Sequence, residues 1–385
     1  MKIGIITFHR ATNYGAVLQS YSLVSYIKKT CPSADVEFID YSTYSARISH
    51  IKTIVSSLFR QNIKAALGEI FKLFMFKRFS NSLPLSKFKI VSDDIKTFNR
   101  LSNKYYDIII AGSDAIFSWS GKKFPTAYFL HDYHGKKLSY AASSHRLFYK
   151  DATKDKIKYI LEAFESFNYL GVRDLETEKL IAYSGYTGEI FHNCDPTFLL
   201  DIGLIHSKVS FDEIKHKCKI TRPFVVLMTP DASIASFVKT KLEDDFQIVS
   251  VFTGNKIFTD TVYNLTPFEW ASLFSLAEFT ITEYFHATIL SLLNDTPVLA
   301  IDKLSNTSGY EGKIYDLMHR RLNLPELYLN VSEISKLGNK VLGEKIDVVK
   351  NFSTIEKIRK SVSAESKNSL SFTEALHKLI TNNGE

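Results

Sequence analysis

The feature that most limits how this chain can fold is a series of short, nearly uninterrupted apolar runs separated by stretches of helical spacing. Asp107–Ala111 (DIIIA), closed by Gly112, is the cleanest of them. Ile3–Phe8, Val36–Tyr41 (VEFIDY), Leu138–Ala142 (LSYAA), Tyr169–Val172 and Glu189–His192 are further runs of the kind. A strand with one wet face alternates apolar and polar residues. A strand that is apolar throughout has both faces covered, the condition of a parallel sheet between helix layers. The stretches between these runs, Ala16–Lys29, much of Ile51–Phe79, Thr153–Phe167 and Leu175–Ala182, read as helices. The alternation predicts an open parallel α/β sheet.

The rhythm breaks after Leu200 and restarts after Arg222-Pro223. Phe224–Met228 (FVVLM) reads as a strand, a helix begins at Ser233, and Phe246–Phe252 reads as a strand. Thr266 is placed to cap a helix with Pro267 at its first position. Phe279–Ile281, His286–Leu293 and Val298–Ile301 complete a second α/β half. The expected division is an N-terminal Rossmann-like domain over residues 1–200, a linker over 201–222, a C-terminal Rossmann-like domain over 223–350 and a helical tail over 351–385, with a cleft between the two domains. The 385 residues are enough for two cores at about 150 residues each.

Composition removes several classes. With 45% hydrophobic and 23% charged residues, the chain is neither disordered nor a disulfide-stapled module. The excess of 48 Lys+Arg over 41 Asp+Glu, net +7, is too small to argue for nucleic acid. Cys31, Cys194 and Cys218 form no metal-ligand spacing, so no metal and no disulfide is expected. MKIGIITFHRA has too short an apolar run for a signal peptide, and no run approaches a membrane span. These readings together predict a soluble cytoplasmic protein.

Three stretches at strand ends are candidates for chemistry. Asn13-Tyr14-Gly15, running on to Gln19, follows the first strand, where an open α/β sheet presents free helix N–H groups to ligands. Gly112-Ser113-Asp114 follows the third run and offers a hydroxyl and a carboxylate for sugar hydroxyls or a phosphate. Ordinary turns and N-caps use the same residues at both places. Ile281-Thr282-Glu283-Tyr284-Phe285-His286-Ala287 sets an imidazole at the head of a helix. The helix N-terminus disfavours the imidazolium and a bound anion favours it, which suits acid–base work. A structural hydrogen bond is the competing reading for His286. No GxGxxG, HExxH, GxSxG or P-loop is present. Residues 51–79 carry Lys52, Arg60, Lys64, Lys72, Lys77 and Arg78 against Glu69, interleaved with Phe, Leu and Ile. That is a basic amphipathic stretch suited to an anionic membrane surface or to packing on its own domain.

Taken together, TNYGAVLQSYSL, YDIIIAGSDAIFS, LSYAASS, GVRDLET, CDPTFLL and TPFEWASLFSLAEFTITEYFHATILSLLNDTPVLAI resemble, in order, the landmarks of the polysaccharide pyruvyl transferase family. The resemblance runs from the first strand to about residue 325. It implies a GT-B-like pair of Rossmann-like domains. The activity it implies is transfer of an enolpyruvyl-derived group from phosphoenolpyruvate to two sugar hydroxyls, giving a pyruvate ketal and phosphate. Phosphoenolpyruvate would be a co-substrate, with no other cofactor. The acceptor would be a lipid-linked or nucleotide-linked sugar of a capsular or exopolysaccharide repeat unit, with membrane contact through residues 51–79. By motif match, His286 would be the acid–base residue, and Arg173, Lys313, Glu283 and Tyr284 would meet the donor. Asn13, Tyr14, Gly15, Gln19, Gly112, Ser113 and Asp114 would meet the acceptor. Tyr284 stands where many members carry Arg, which removes a planar clamp, and Ala287 stands where Gly is common. A GT-B-like glycosyltransferase with an activated sugar donor is the alternative chemistry, and a carbohydrate-binding assembly subunit is the non-enzymatic one.

Overall fold

The computed structural model describes residues 1–44, 63–118, 124–144, 152–251, 257–258, 261–262, 264–303 and 312–381. The chain forms two compact units, Met1–Leu199 with Lys367–Glu385, and Leu200–Ser366. Residues 51–62 of the basic stretch lie outside the described residues; the rest lies on the helix Ile63–Asn81.

The first unit is built on a seven-stranded parallel sheet in the order β3-β2-β1-β4-β5-β6-β7. The strands are β1 (Lys2–Ile6), β2 (Asp35–Ser42), β3 (Leu85–Val91), β4 (Ile108–Ala111), β5 (Lys136–Ala142), β6 (Tyr169–Val172) and β7 (Phe191–His192). Ile3 and Ile5 pair in register with Ile108 and Ile110, and all four sit in the core on one face. Ile6, Ile109 and Ala111 point into a second core on the other face. That two-sided burial is why these strands read as unbroken apolar runs. β3 and the helix Ile95–Tyr105 were not anticipated. β3 is an edge strand whose LSKFKIV alternates, because only one face is covered.

The second unit carries five parallel strands in the order β12-β11-β10-β8-β9. They are β8 (Phe224–Met228), β9 (Gln247–Ser250), β10 (Phe279–Thr282), β11 (Val298–Asp302) and β12 (Tyr328–Asn330). Thr266 caps the helix Pro267–Leu273 with a reciprocal capping box through Glu269. The stretch 201–222, read as a linker, instead holds helices Ile202–His206 and Phe211–Lys217, capped by Asp201 and Ser210. They pack on the helix Pro267–Leu273, and Lys217 Nζ reaches Glu269 Oε1 at 2.5 Å. Five- and seven-residue helices are too short to show a period in sequence.

The tail divides between the units. The helix Ile355–Ser366 belongs to the second, where Glu365 pairs with Arg321 at 2.6 Å and Arg359 with Asp295 at 3.0 Å. The helix Leu370–Thr381 belongs to the first, placing Phe372 and Leu376 in its core beside Tyr140 and Tyr169. All three cysteines are buried free thiols. No helix among the described residues is long and apolar enough to cross a membrane.

Candidate functional site

Each sheet has one place where the strand order reverses, and a doubly wound sheet opens its binding crevice there, beyond the carboxyl ends of the strands. In the first unit the reversal lies between β1 and β4, and in the second between β8 and β10. The candidate stretches flank these two points.

At the first, Asn13 caps the helix Tyr14–Thr30, its Oδ1 accepting from the Ala16 amide at 3.1 Å, with its side chain exposed. Gly15 is buried in the first turn of that helix. Tyr14 and Gln19, expected to meet the acceptor, are buried in the unit. The Tyr14 hydroxyl lies 3.9 Å from Met75 Sδ and its ring packs edge-on against Phe76, while Gln19 Nε2 donates to Asp195 Oδ2 at 2.5 Å. Thr7 Oγ1 donates to the Ser113 carbonyl beside Gly112, at 3.1 Å. Ser113 Oγ and Gln19 Oε1 are buried without a hydrogen-bond partner.

Arg173, expected as a cation for the donor, is enclosed by carboxylates. Its Nη1 lies 2.5 Å from Asp195, Nη2 3.4 Å from Asp114 and Nε 3.8 Å from Asp174, with 4% of its side chain exposed. Burial would lower its pKa, but the three aspartates raise it above the ordinary value. Its guanidinium donates through Nη1 to Asp195 and through Nη2 to Asp114. Arg173, read by motif as a donor cation, is therefore found buried among three carboxylates. Asp114 is the member that reaches solvent, 24% exposed. Its φ of 79° is a left-handed conformation that costs a non-glycine residue on the order of 1 kcal/mol or more. The turn is held because the Asp114 carbonyl accepts from Ile116 and Ser143 and its own Oδ1 accepts from the Ala115 amide.

Beside this crevice lies His9, which no motif singles out. Its ring is fully buried, stacked on Phe38, with Nε2 3.7 Å from Asp40. Arg10 reaches the same carboxylate with two nitrogens at 2.9 and 2.7 Å. Burial alone would raise the Asp40 carboxyl, but His9 and Arg10 hold it well below the usual carboxylate range.

In the second unit, His286 is half-buried in the first turn of the helix Phe285–Leu293, edge-on to Phe285. Tyr284 is the N-cap and is 39% exposed, with its phenol pKa raised by burial and by Glu283. Glu283, expected on the donor side, has two neighbours: its Oε1 accepts from Thr229 Oγ1 and its Oε2 lies 2.6 Å from Lys303 Nζ. Lys303, 44% exposed, is a cation that the motif reading missed. The available signal was a Lys directly after the buried strand VLAID. Lys313 opens the short helix Lys313–Tyr315, half-buried. Asp302 at the end of β11 accepts from the Tyr315 amide at 3.2 Å, and a Cβ on Gly312 would land on that carboxylate. His286, Lys303 and Lys313 therefore share the carboxyl edge of the second sheet, whereas Arg173 belongs to the first unit. Ahead of β5, His131 pairs with Asp132 and Glu162, while Tyr133 is buried and donates to the Tyr106 carbonyl at 2.8 Å.

Comparison with known proteins bears on the fold and the family. The architecture resembles UDP-GlcNAc 2-epimerase from Neisseria meningitidis, solved with UDP-GlcNAc, at 8% identity over 98% of this chain and 99% of that one, with a TM-score of 0.54. It also resembles the Methanocaldococcus jannaschii UDP-GlcNAc 2-epimerase, solved with UDP-GlcNAc and UDP, at 11% identity over 94% and 99%, with a TM-score of 0.52. At such identities the likeness is one of fold: two Rossmann-like domains of the GT-B type. None of the curated proteins matches the sequence significantly. The sequence model of polysaccharide pyruvyl transferases matches residues 13–303, from the helix cap after β1 to Lys303 and short of Lys313. Because that match covers well over half of the chain, the chain belongs to the polysaccharide pyruvyl transferase family, a family of transferases.

Proposed function

We propose that this protein transfers the enolpyruvyl-derived group of phosphoenolpyruvate to two hydroxyls of a sugar in a surface-polysaccharide repeat unit, forming a cyclic pyruvate ketal and releasing phosphate. The observation that carries the reading is the cationic edge of the second sheet, where His286, Lys303 and Lys313 gather beyond β10 and β11. A donor with a carboxylate and a phosphate needs cations held ready for its charge. The first unit lacks a free one at Arg173, and its Asp114 suits neutral hydroxyls better than an anion.

The reaction breaks two acceptor O–H bonds, the C2=C3 π bond and the C2–O bond to phosphate, and it forms two C2–O bonds to the sugar, a C3–H bond and an O–H bond on phosphate. One proton's worth of the balance ends on C3, which becomes methyl, and the other leaves with phosphate. In this reading His286 delivers the proton to C3, and Lys303 and Lys313 hold the donor's anionic groups. A bound anion would favour the imidazolium that a helix N-terminus otherwise disfavours. The acceptor sugar is lipid-linked or nucleotide-linked, and the work is cytoplasmic.

Phosphate release from phosphoenolpyruvate with candidate acceptors tests the proposal. His286→Ala should lower the rate by about 10²–10⁴-fold without unfolding the protein. Absence of release with every acceptor, or a variant as active as wild type, removes it. An activated-sugar glycosyltransferase is the second reading, favoured by the likeness of fold to proteins solved with UDP-sugars. Thermal stabilisation by a UDP-sugar and not by phosphoenolpyruvate would select it.

A further inference from the structure

The exposed large apolar side chains of this protein are mostly scattered singly, as on any soluble surface. One group is different. Ile70, Phe71 and Phe74 are 49%, 47% and 66% exposed within five residues of the helix Ile63–Asn81. One turn further on, Lys77 and Arg78 are also exposed. At about 100° per residue, these five positions occupy a single arc of about 120°. No carboxylate pairs with Lys72, Lys77 or Arg78 among the described residues.

The other side of the helix is committed to its own unit. Met75 and Phe76 are buried against Tyr14, Ser80 Oγ donates to the His9 carbonyl at 2.9 Å, and Asn81 Oδ1 accepts from Arg10 Nη1 at 2.6 Å. The outward face is thus rigidly mounted on the loop that connects β1 to the helix Tyr14–Thr30. A rigid helix with bulky apolar residues along one face and unpaired cations at the end of that face matches the boundary of an anionic bilayer. There the rings enter the acyl region and the cations remain among the head groups.

From this face we infer that the protein docks peripherally on an anionic lipid surface through Ile70, Phe71, Phe74, Lys77 and Arg78. Docking brings the β1 loop, with Asn13 at its rim, to the membrane. If the ketal-forming reading holds, that favours a lipid-linked acceptor over a nucleotide-linked one. The docking itself does not depend on the chemistry.

Flotation of the full chain with phosphatidylcholine vesicles, with and without phosphatidylglycerol, tests the inference with no substrate present. Binding is expected only to the vesicles that contain phosphatidylglycerol. It should weaken as the Debye length falls from about 30 Å at 0.01 M salt to about 8 Å at 0.15 M. Lys77→Gln with Arg78→Gln should weaken binding about thirtyfold, taking about fivefold for each charge. Phe71→Ser with Phe74→Ser should abolish what survives at high salt. These positions are exposed, so both variants should keep the wild-type circular dichroism and melting temperature. Equal binding to both vesicle types, or unaltered binding by both variants, overturns the inference. So does a dimer in solution that the Phe variant dissociates while no vesicles are bound, since the face would then belong to a second copy. Phosphate release with a water-soluble acceptor is a separate readout, so loss of docking and loss of the proposed chemistry cannot be confused.

Discussion

The two sheets share a parallel architecture and differ in what stands at their carboxyl ends. In the first unit Arg173 lies among Asp114, Asp174 and Asp195, so a fully buried cation is outnumbered by carboxylates. In the second, Lys303 is balanced by one carboxylate, Glu283, and is 44% exposed, while Lys313 and His286 are half-buried at helix starts. The first arrangement buries its cation among carboxylates. The second keeps cations where a ligand's charge can reach them. A motif names an Arg or a Lys in both places; only burial tells the two uses apart.

The largest effect that can break this contrast is at Arg173. Arg173→Met leaves three carboxylates facing one another in a buried site, and the expected loss is about 3–5 kcal/mol in urea unfolding. Arg173→Lys should recover part of it, because the charge returns without the planar fork. A variant of wild-type stability with a raised KM for phosphoenolpyruvate would return Arg173 to donor binding and erase the difference between the units.

The next effect is at Lys303. Lys303→Met should raise the KM for phosphoenolpyruvate about 10–100-fold, the worth of one charge-assisted contact of about 1.5–3 kcal/mol. Glu283→Gln is the informative companion, since it keeps a partner for Thr229 and releases Lys303 from its ion pair. That variant should lower the donor KM or leave it unchanged. If neither substitution moves the donor KM, the cationic edge is structural too.

How far the sequence carried follows from the same physics. Strands buried on both faces, such as Ile108–Ala111 and Phe224–Met228, announced themselves because every position is apolar. β12 did not, because three residues are too few for any pattern, and β3 did not, because an edge strand is covered on one face. Thr266-Pro267 carried its own chemistry and was legible to the residue, and the structure adds Glu269 to complete the capping box. The networks were not. Arg173 meets Asp195 across 22 positions and His9 meets Asp40 across 31, and no local rule links residues that distant. The motifs located the strand ends correctly, but which side chains there are spent on neighbours is decided by tertiary packing.

A smaller change sharpens the contrast by serving as a control. Thr266→Ala removes the capping box of the helix Pro267–Leu273 and should cost about 1 kcal/mol in urea unfolding. The donor KM should stay at its wild-type value, because the Thr266 side chain bonds only to the Glu269 amide and not to His286 or Lys303. A donor KM that moved with this loss would mean that general loosening, and not a missing cation, explains Lys303→Met.

The smallest effect is a difference in pH dependence between the units. In the second unit, burial lowers the pKa of His319, whose ring stacks on Tyr315 and meets Tyr328 edge-on, with Lys345 adding to the shift. A lowered folded value means that the unfolded chain takes up the proton first. The contribution of His319 is therefore complete above its unfolded pKa of about 6.5 and is lost as pH falls through the folded value. In the first unit Asp40 is depressed as well, but its unfolded value is about 3.9, so its contribution persists through the range in which His319 titrates. Between about pH 7 and pH 5, then, the loss should come from the histidine side of the comparison. His319→Phe keeps a ring between Tyr315 and Tyr328 and cannot be protonated, so it should flatten the fall of the urea midpoint over that interval. Asp40→Asn, whatever it costs overall, should leave the slope there as in wild type. If His319→Phe leaves the slope intact and Asp40→Asn removes it, the acid-sensitive element belongs to the first unit and the assignment is reversed.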